Sequence, residues 1–319
     1  MNVLETVKST GILPVINITD ITTAEPFAKA VLKGGIKAVE ITLRSDVSLE
    51  AIRTIKSSCP EMQVLAGTVL SVEQAKSALE AGASGIVMPG YDDEIVDYAI
   101  ENGIPVVPGC ITAADIQKGV KKGLKVFKFF PAENSGGLAA IKLLSGPFKD
   151  IKFLPTGGMN YGNIGTYLKE KFIIACGGSY MANAKMLADR DFDGITANCK
   201  KAVDISLGFE LAHVGINHQS EDSAKNTAET ISDIFRFETR YMNSAVFADT
   251  AVEAVKSGVY GEKGHIGFYT NSIERAMAYL NEKGVELNEQ SIKRNKSGDI
   301  TCIYLKEEIA GFAFHIVSR

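Results

Sequence analysis

One unit recurs through the first two thirds of the chain: a short β-branched, apolar run, a polar turn, an amphipathic stretch and a glycine. The runs are ILPVINI (12–18), AVEITLR (38–44), QVLAGTV (63–69), GIVMPG (85–90), PVVPGC (105–110), VFKFFP (126–131), KFLPTGG (152–158) and IIACGG (173–178). Between them the apolar period becomes helical, as in SVEQAKSALEAG and DDEIVDYAIENG, and Gly82, Gly103 and Gly123 stand where helices stop. Strand followed by helix at a spacing of ~20–27 residues requires parallel strands with right-handed crossovers. Eight such units within about 200 residues make a (β/α)8 TIM barrel the expected α/β fold. An open doubly wound sheet is the alternative, but no GxGxxG follows the first run.

The period changes near Gly208, which divides the 319 residues into a barrel, 1–208, and a smaller α+β unit, 209–319. The second part contains an internal repeat. His213-Val-Gly-Ile, Ser220 and Ala224 recur as His265-Ile-Gly-Phe, Ser272 and Ala276, each pair 52 residues apart. Each copy reads as a strand, an amphipathic helix and then β-rich sequence. The KRNKSGD stretch (293–299) has the composition of a solvated loop.

Charge and composition narrow the partners. A net charge of −4 with dispersed basic residues leaves no footprint for a phosphate backbone, so no nucleic-acid partner is expected. No run approaches the ~20 apolar residues of a spanning helix, and MNVLETVKST lacks the features of an export signal, so a cytoplasmic protein without a membrane partner is expected. Cys59, Cys110, Cys176, Cys199 and Cys302 are scattered and odd in number, as reduced packing thiols would be. All four histidines, His213, His218, His265 and His315, lie beyond position 210.

Within the barrel, the two-residue strand period puts Glu40, Thr42 and Arg44 on one face of the second run, and Lys128 and Phe130 on one face of the sixth. A lysine and a glutamate facing a barrel interior need a partner or a task; a structural ion pair is the plain reading. Two glycine turns, Thr156-Gly157-Gly158 and Gly177-Gly178-Ser179, end the seventh and eighth runs, where barrels commonly hold phosphate through backbone N–H groups. A desolvated lysine amine can attack a ketone, and its iminium is an electron sink. A neighbouring carboxylate can move the protons of carbon–carbon cleavage, and an arginine can hold a substrate carboxylate. These parts describe a lysine-dependent aldolase acting on a phosphorylated 2-keto acid. A metal-dependent aldolase would need imidazole ligands, and the barrel has none.

VEITLR, AGTVL, MPG, VVPGC, VFKFFPAE, LPTGG and CGGS, in that order, resemble the 2-keto-3-deoxy-6-phosphogluconate (KDPG) and 4-hydroxy-2-oxoglutarate aldolase family over about residues 1–207. The resemblance implies that Lys128 forms the Schiff base and Glu40 is the general acid/base. It further implies that Arg44 and Thr68 hold the pyruvyl carboxylate, Pro89 and Phe130 wall the pocket, Thr156 touches substrate, and Gly157, Gly158, Gly178 and Ser179 bind phosphate. It implies no cofactor beyond the lysine imine, a homotrimer, and a place in sugar-acid breakdown by the Entner–Doudoroff route. The twofold repeat of the tail resembles the glyoxalase, or vicinal-oxygen-chelate, fold of paired βαβββ units. That resemblance would place divalent-metal ligands at His213, Glu253, His265 and His315, although the spacing from His213 to Glu253 does not match that from His265 to His315. Two readings of the whole stand side by side: an aldolase with an assembly or regulatory tail of satisfied histidines, and a bifunctional protein whose tail has metal-dependent, glyoxalase-type chemistry.

Overall fold

The computed structural model describes residues 2–258 and 260–319, and the chain divides into two compact units, Met1–Ser206 and Leu207–Arg319. In the first, strands β1 (Ile12–Ile16), β2 (Ala38–Thr42), β3 (Gln63–Gly67), β4 (Gly85–Val87), β5 (Val106–Val107), β6 (Gly109–Cys110), β7 (Val126–Phe129), β8 (Lys152–Pro155) and β9 (Cys176–Gly178) pair in parallel. One sheet runs β5-β4-β3-β2-β1-β9 and another β6-β7-β8. Bridges Phe153–Ile173 and Thr156–Gly177 join the β8 and β9 segments and close the barrel on that side. The fifth run differs from the single strand expected: it is split at Pro108 into β5 and β6, because proline has no N–H to offer a ladder. The second run also ends early. β2 stops at Thr42, so Arg44 is presented from the following bend rather than from a strand face.

Helices α1 (Val3–Thr10), α2 (Ala24–Lys33), α3 (Ser48–Ser58), α4 (Val72–Glu80), α5 (Asp93–Glu101), α6 (Ala113–Lys121), α7 (Gly137–Ser145), α8 (Ile164–Leu168), α9 (Ala184–Ala188) and α10 (Phe192–Leu207) alternate with the strands or follow them. Side-chain caps start several of them, as when Asp92 accepts from the Ile95 N–H and Thr112 from the Asp115 N–H. Helix α1 precedes the first strand and closes the interior: Val3 and Val7 pack with Leu13, Ala38, Leu65, Val87, Val107 and Leu154, one residue from each of six strands. This apolar layer is the floor on which the site is built.

The second unit is an eight-stranded sheet in the order β11-β12-β13-β10-β14-β17-β16-β15. Its first half is β10 (Glu210–Asn217), α11 (Glu221–Phe235), β11 (Thr239–Tyr241), β12 (Ala245–Ala248) and β13 (Val252–Val255). Its second is β14 (Gly264–Thr270), α12 (Ile273–Glu282), β15 (Leu287–Arg294), β16 (Ile300–Leu305) and β17 (Phe312–Ser318). Each half is therefore βαβββ, and the strand order reads the same from either edge. The halves meet at the antiparallel β10–β14 pair, with β13 parallel to β10 and β17 parallel to β14. Ala224 and Ala228 of α11 pack on Val246 and Ala254.

Candidate active site

Two residues beyond the floor, toward the C-terminal ends of the strands, the inward positions become Glu40 on β2, Gly67 on β3, Lys128 on β7, Thr156 after β8 and Gly177 on β9. Three of them are polar and all three are buried, Glu40 at 0% and Lys128 at 5% exposure. Lys128 Nζ lies 3.0 Å from Glu40 Oε1 and 3.4 Å from Oε2. An ion pair so far from water is retained only where its geometry is good, and removing one partner strands the other charge. Lys128 also sits 5.4 Å from the centroid of the Phe130 ring.

Glycine makes the room in this layer. A Cβ on Gly67 would stand 2.3 Å from Glu40 Oε1 and 2.6 Å from its Cγ, so the glutamate lies directly over β3. A Cβ on Gly177 would stand 2.6 Å from Thr156 Oγ1, a buried hydroxyl with no hydrogen-bond partner among the described residues. Such an orphan group in a polar layer is poised for a ligand.

Around the layer, Arg44 donates from Nε to Thr68 Oγ1 at 3.2 Å, which brings together two residues 24 apart in sequence. Thr68 has φ +59°, a strained value for a β-branched residue, held where the chain leaves β3. Pro89 and Phe130 are half-buried, each just past the end of its strand. In the turn after β8, Gly157 and Gly158 have φ +94° and +83°, and a side chain on Gly158 would collide with Glu133 at 2.5 Å. Gly178 is buried beneath the Tyr180 ring, and Ser179 is exposed beside it. The five cysteines are all buried and none forms a disulfide, and burial pushes the Cys110 and Cys199 thiols up to about 12, which leaves these two inert as nucleophiles.

A second constellation occupies one face of the sheet in the other unit. His213 Nε2 lies 3.1 Å from His265 Nε2 and 3.1 Å from His315 Nε2, and Glu253 Oε2 lies 3.1 Å from His265 Nε2 and 3.4 Å from His213 Nε2. The unequal sequence spacings converge because register decides the matter: Glu253 pairs with Gly215 and His315 with Gly267, equivalent places in the two halves. Burial, and then the neighbouring imidazoles, push His315 down to about 3; burial also lowers His213. Both rings are neutral at physiological pH, the form in which imidazole ligates. His315 Nδ1 lies 3.2 Å from Cys302 Sγ, and Tyr304 stacks on the ring at 4.5 Å. His218 stands apart, bonded to Ser223. The roles of Gly67, Gly215, Gly267 and Cys302 were not read from sequence. The His-x-Gly repeat was the visible signal for two of them.

The barrel layer defines the class: a (β/α)8 enzyme in which the one lysine buried among the described residues is paired with a carboxylate at the C-terminal end of the barrel. The family model described as KDPG and KHG aldolase matches residues 3–198, and the chain belongs to that family; it is a lyase. It is 40% identical over 201 residues to the KHG/KDPG aldolase of Escherichia coli (strain K12), covering 63% of this chain and 94% of that one. It is 37% identical over 205 residues to the 2-dehydro-3-deoxy-phosphogluconate aldolase of Treponema pallidum (strain Nichols), 64% of this chain and 98% of the relative. Among solved structures it resembles the KDPG aldolase of Legionella pneumophila with pyruvate captured at low pH as a covalent carbinolamine intermediate. That match has TM-score 0.62 and 31% identity over 63% of this chain and 98% of the other. Residues 209–319 lie outside the family match.

Proposed function

We propose that the barrel cleaves 2-dehydro-3-deoxy-6-phosphogluconate to pyruvate and glyceraldehyde 3-phosphate through a lysine imine, and that it also cleaves 4-hydroxy-2-oxoglutarate to pyruvate and glyoxylate. The observation that carries this is the 3.0 Å approach of Lys128 Nζ to Glu40 Oε1 in a buried layer at the C-terminal end of the barrel.

The amine of Lys128 adds to the C2 ketone, and loss of water gives the iminium. Glu40 removes the proton of the C4 hydroxyl. The C3–C4 bonding pair then flows into the iminium, and the aldehyde leaves. The enamine takes a proton at C3, and water returns to release pyruvate and free Lys128. In this reading Arg44 and Thr68 hold the pyruvyl carboxylate, Pro89 and Phe130 wall the pocket, and the Thr156 hydroxyl meets a substrate oxygen. The turns at Gly157–Gly158 and Gly178–Ser179 take the phosphate. Borohydride with pyruvate should reduce the imine to a carboxyethyl group on Lys128, seen as one modified peptide by mass spectrometry; an unmodified Lys128 peptide overturns the reading. The exposed side chains of Leu70, Ile111 and Leu143 are apolar surface that a homotrimer would cover, which sedimentation equilibrium checks.

A second reading concerns the other unit, and the convergence of four donor atoms favours it: this is a glyoxalase-like domain that binds a divalent metal. The donor atoms of His213, His265 and His315 lie within 4.8 Å of one another. Neighbouring donors about 3.0–3.4 Å apart are the edges expected of a polyhedron with metal–ligand bonds near ~2.1 Å. Nδ1 of His315 faces Cys302 Sγ, and its Nε2 is the ring nitrogen turned toward the other donors. A three-nitrogen, one-carboxylate set suits zinc, iron or nickel. A bound ion would act as a Lewis acid toward an oxygen ligand; the residues supply neutral imidazoles and one charge-balancing carboxylate. Elemental analysis of purified protein after metal loading and dialysis checks this, and absence of stoichiometric metal overturns it.

A further inference from the structure

The two outer ligands of the second constellation, Glu253 and His315, each have bulk on one side and a glycine on the other. Glu253 is paired with Phe247 on β12 and with Gly215 on β10. His315 is paired with Tyr304 on β16 and with Gly267 on β14. Across the central pair, His265 faces Gly215, and His213 faces Gly267. Two rows of the sheet, Glu253–Gly215–His265 and His213–Gly267–His315, thus have a glycine at the centre and a donor on each flank.

The space over those glycines is where the rings lie. A Cβ on Gly215 would stand 2.2 Å from His265 Cε1 and 2.5 Å from its Nε2. One on Gly267 would stand 2.5 Å from His315 Nε2 and 2.8 Å from His213 Cε1. Real Cβ contacts are never so short, so an added methyl displaces an imidazole. The displacement has a cheap route, because an imidazole side chain moves by rotating about χ1 and χ2 without shifting the strand. The cost therefore falls on the convergence of the donors more than on the sheet.

Resting on the metal reading above, we propose that Gly215 and Gly267 are positioning residues for the donor set. Gly215 is the floor beneath His265 of the opposite repeat, and Gly267 the floor beneath His213 of the opposite repeat and His315 of its own; the His-x-Gly pair, duplicated 52 residues apart, supplies the two central donors and both floors when two copies pair antiparallel. One copy alone has a histidine and a vacant floor, but the floor lies under the ring of the other. The pattern thereby requires both halves.

The test is zinc titration of the full chain against a chromophoric chelator, with far-UV circular dichroism and thermal melts of the metal-free proteins. Gly215→Ala and Gly267→Ala are each expected to weaken zinc at least tenfold, in the range of other residues that orient metal ligands, while the spectra stay superimposable. A double variant, Gly267→Ala with His315→Ala, keeps the methyl and removes the ring it meets first, at 2.5 Å. Where the single variant folds poorly, the double variant is expected to melt higher than Gly267→Ala alone, because the ring that the methyl strikes is gone. Wild-type protein that takes up no zinc overturns the metal reading and this proposal with it. Wild-type protein that binds zinc, beside alanine variants that bind it equally, overturns the proposal alone, as does a double variant no more stable than a Gly267→Ala protein that folds poorly.

Discussion

The side chain of Glu40 occupies space that Gly67 leaves open. Its carboxylate lies across β3 where a methyl group would stand 2.3 Å from Oε1, so Gly67→Ala must push the carboxylate away from Lys128 or tilt the strands. If Glu40 moves proton equivalents in the reaction, the variant should lose about 10²–10⁴-fold in kcat, the usual worth of a positioned acid/base group. Pyruvate should still be trapped on Lys128 by borohydride, because the amine is untouched. Steady-state kinetics beside trapping separates the two steps, and an unchanged kcat would place the catalytic proton elsewhere. Glu40→Gln should match the kinetic loss without the crowding. Glu40 and Lys128 were legible in sequence because strand period alone puts them on inward faces. Gly67 was not, because its importance depends on pairing β2 with β3 and on how a side chain leans across that pair.

At the scale of elements, hydrophobic period located all eight runs of the barrel, since a strand buried on both sides must be apolar along its length. It could not show that Pro108 divides the fifth run, or that Arg44 reaches the site from a bend, because both depend on where ladder hydrogen bonds stop. In the second unit the repeat was legible down to its helix starts. Ser220 and Ser272, 52 residues apart, each cap a helix, accepting from the Ser223 and Arg275 N–H groups at 3.2 and 3.3 Å. Alanine at either position should cost about 1 kcal/mol of that unit's stability, read as a lowered denaturation midpoint by circular dichroism. Equal losses at the two sites would show that the halves contribute alike to one cooperative fold. A loss at neither would mean that tertiary packing alone starts these helices.

For the whole molecule, chemistry is divided by residue type. The barrel has lysine and no histidine, and the second unit has the four histidines, so the two candidate sites do not compete for ligands. Zinc should therefore act on one unit only. A ligand that binds the folded state stabilises it by RT ln(1 + [L]/Kd), about 2.7 kcal/mol at a hundredfold excess over Kd. Hydrogen exchange of the full chain should accordingly slow on β10, β13, β14 and β17 when zinc is added and return when it is chelated. The barrel strands should exchange at the same rate throughout, and pyruvate release should be indifferent to the chelator. Slowing spread evenly over both units would show that the metal acts on the assembly as a whole, and slowing nowhere would leave the imidazole cluster as a hydrogen-bonded feature of the sheet. The geometry favours slowing on these four strands, because Nε2 of His213 already lies 3.1 Å from that of His265 and 3.1 Å from that of His315.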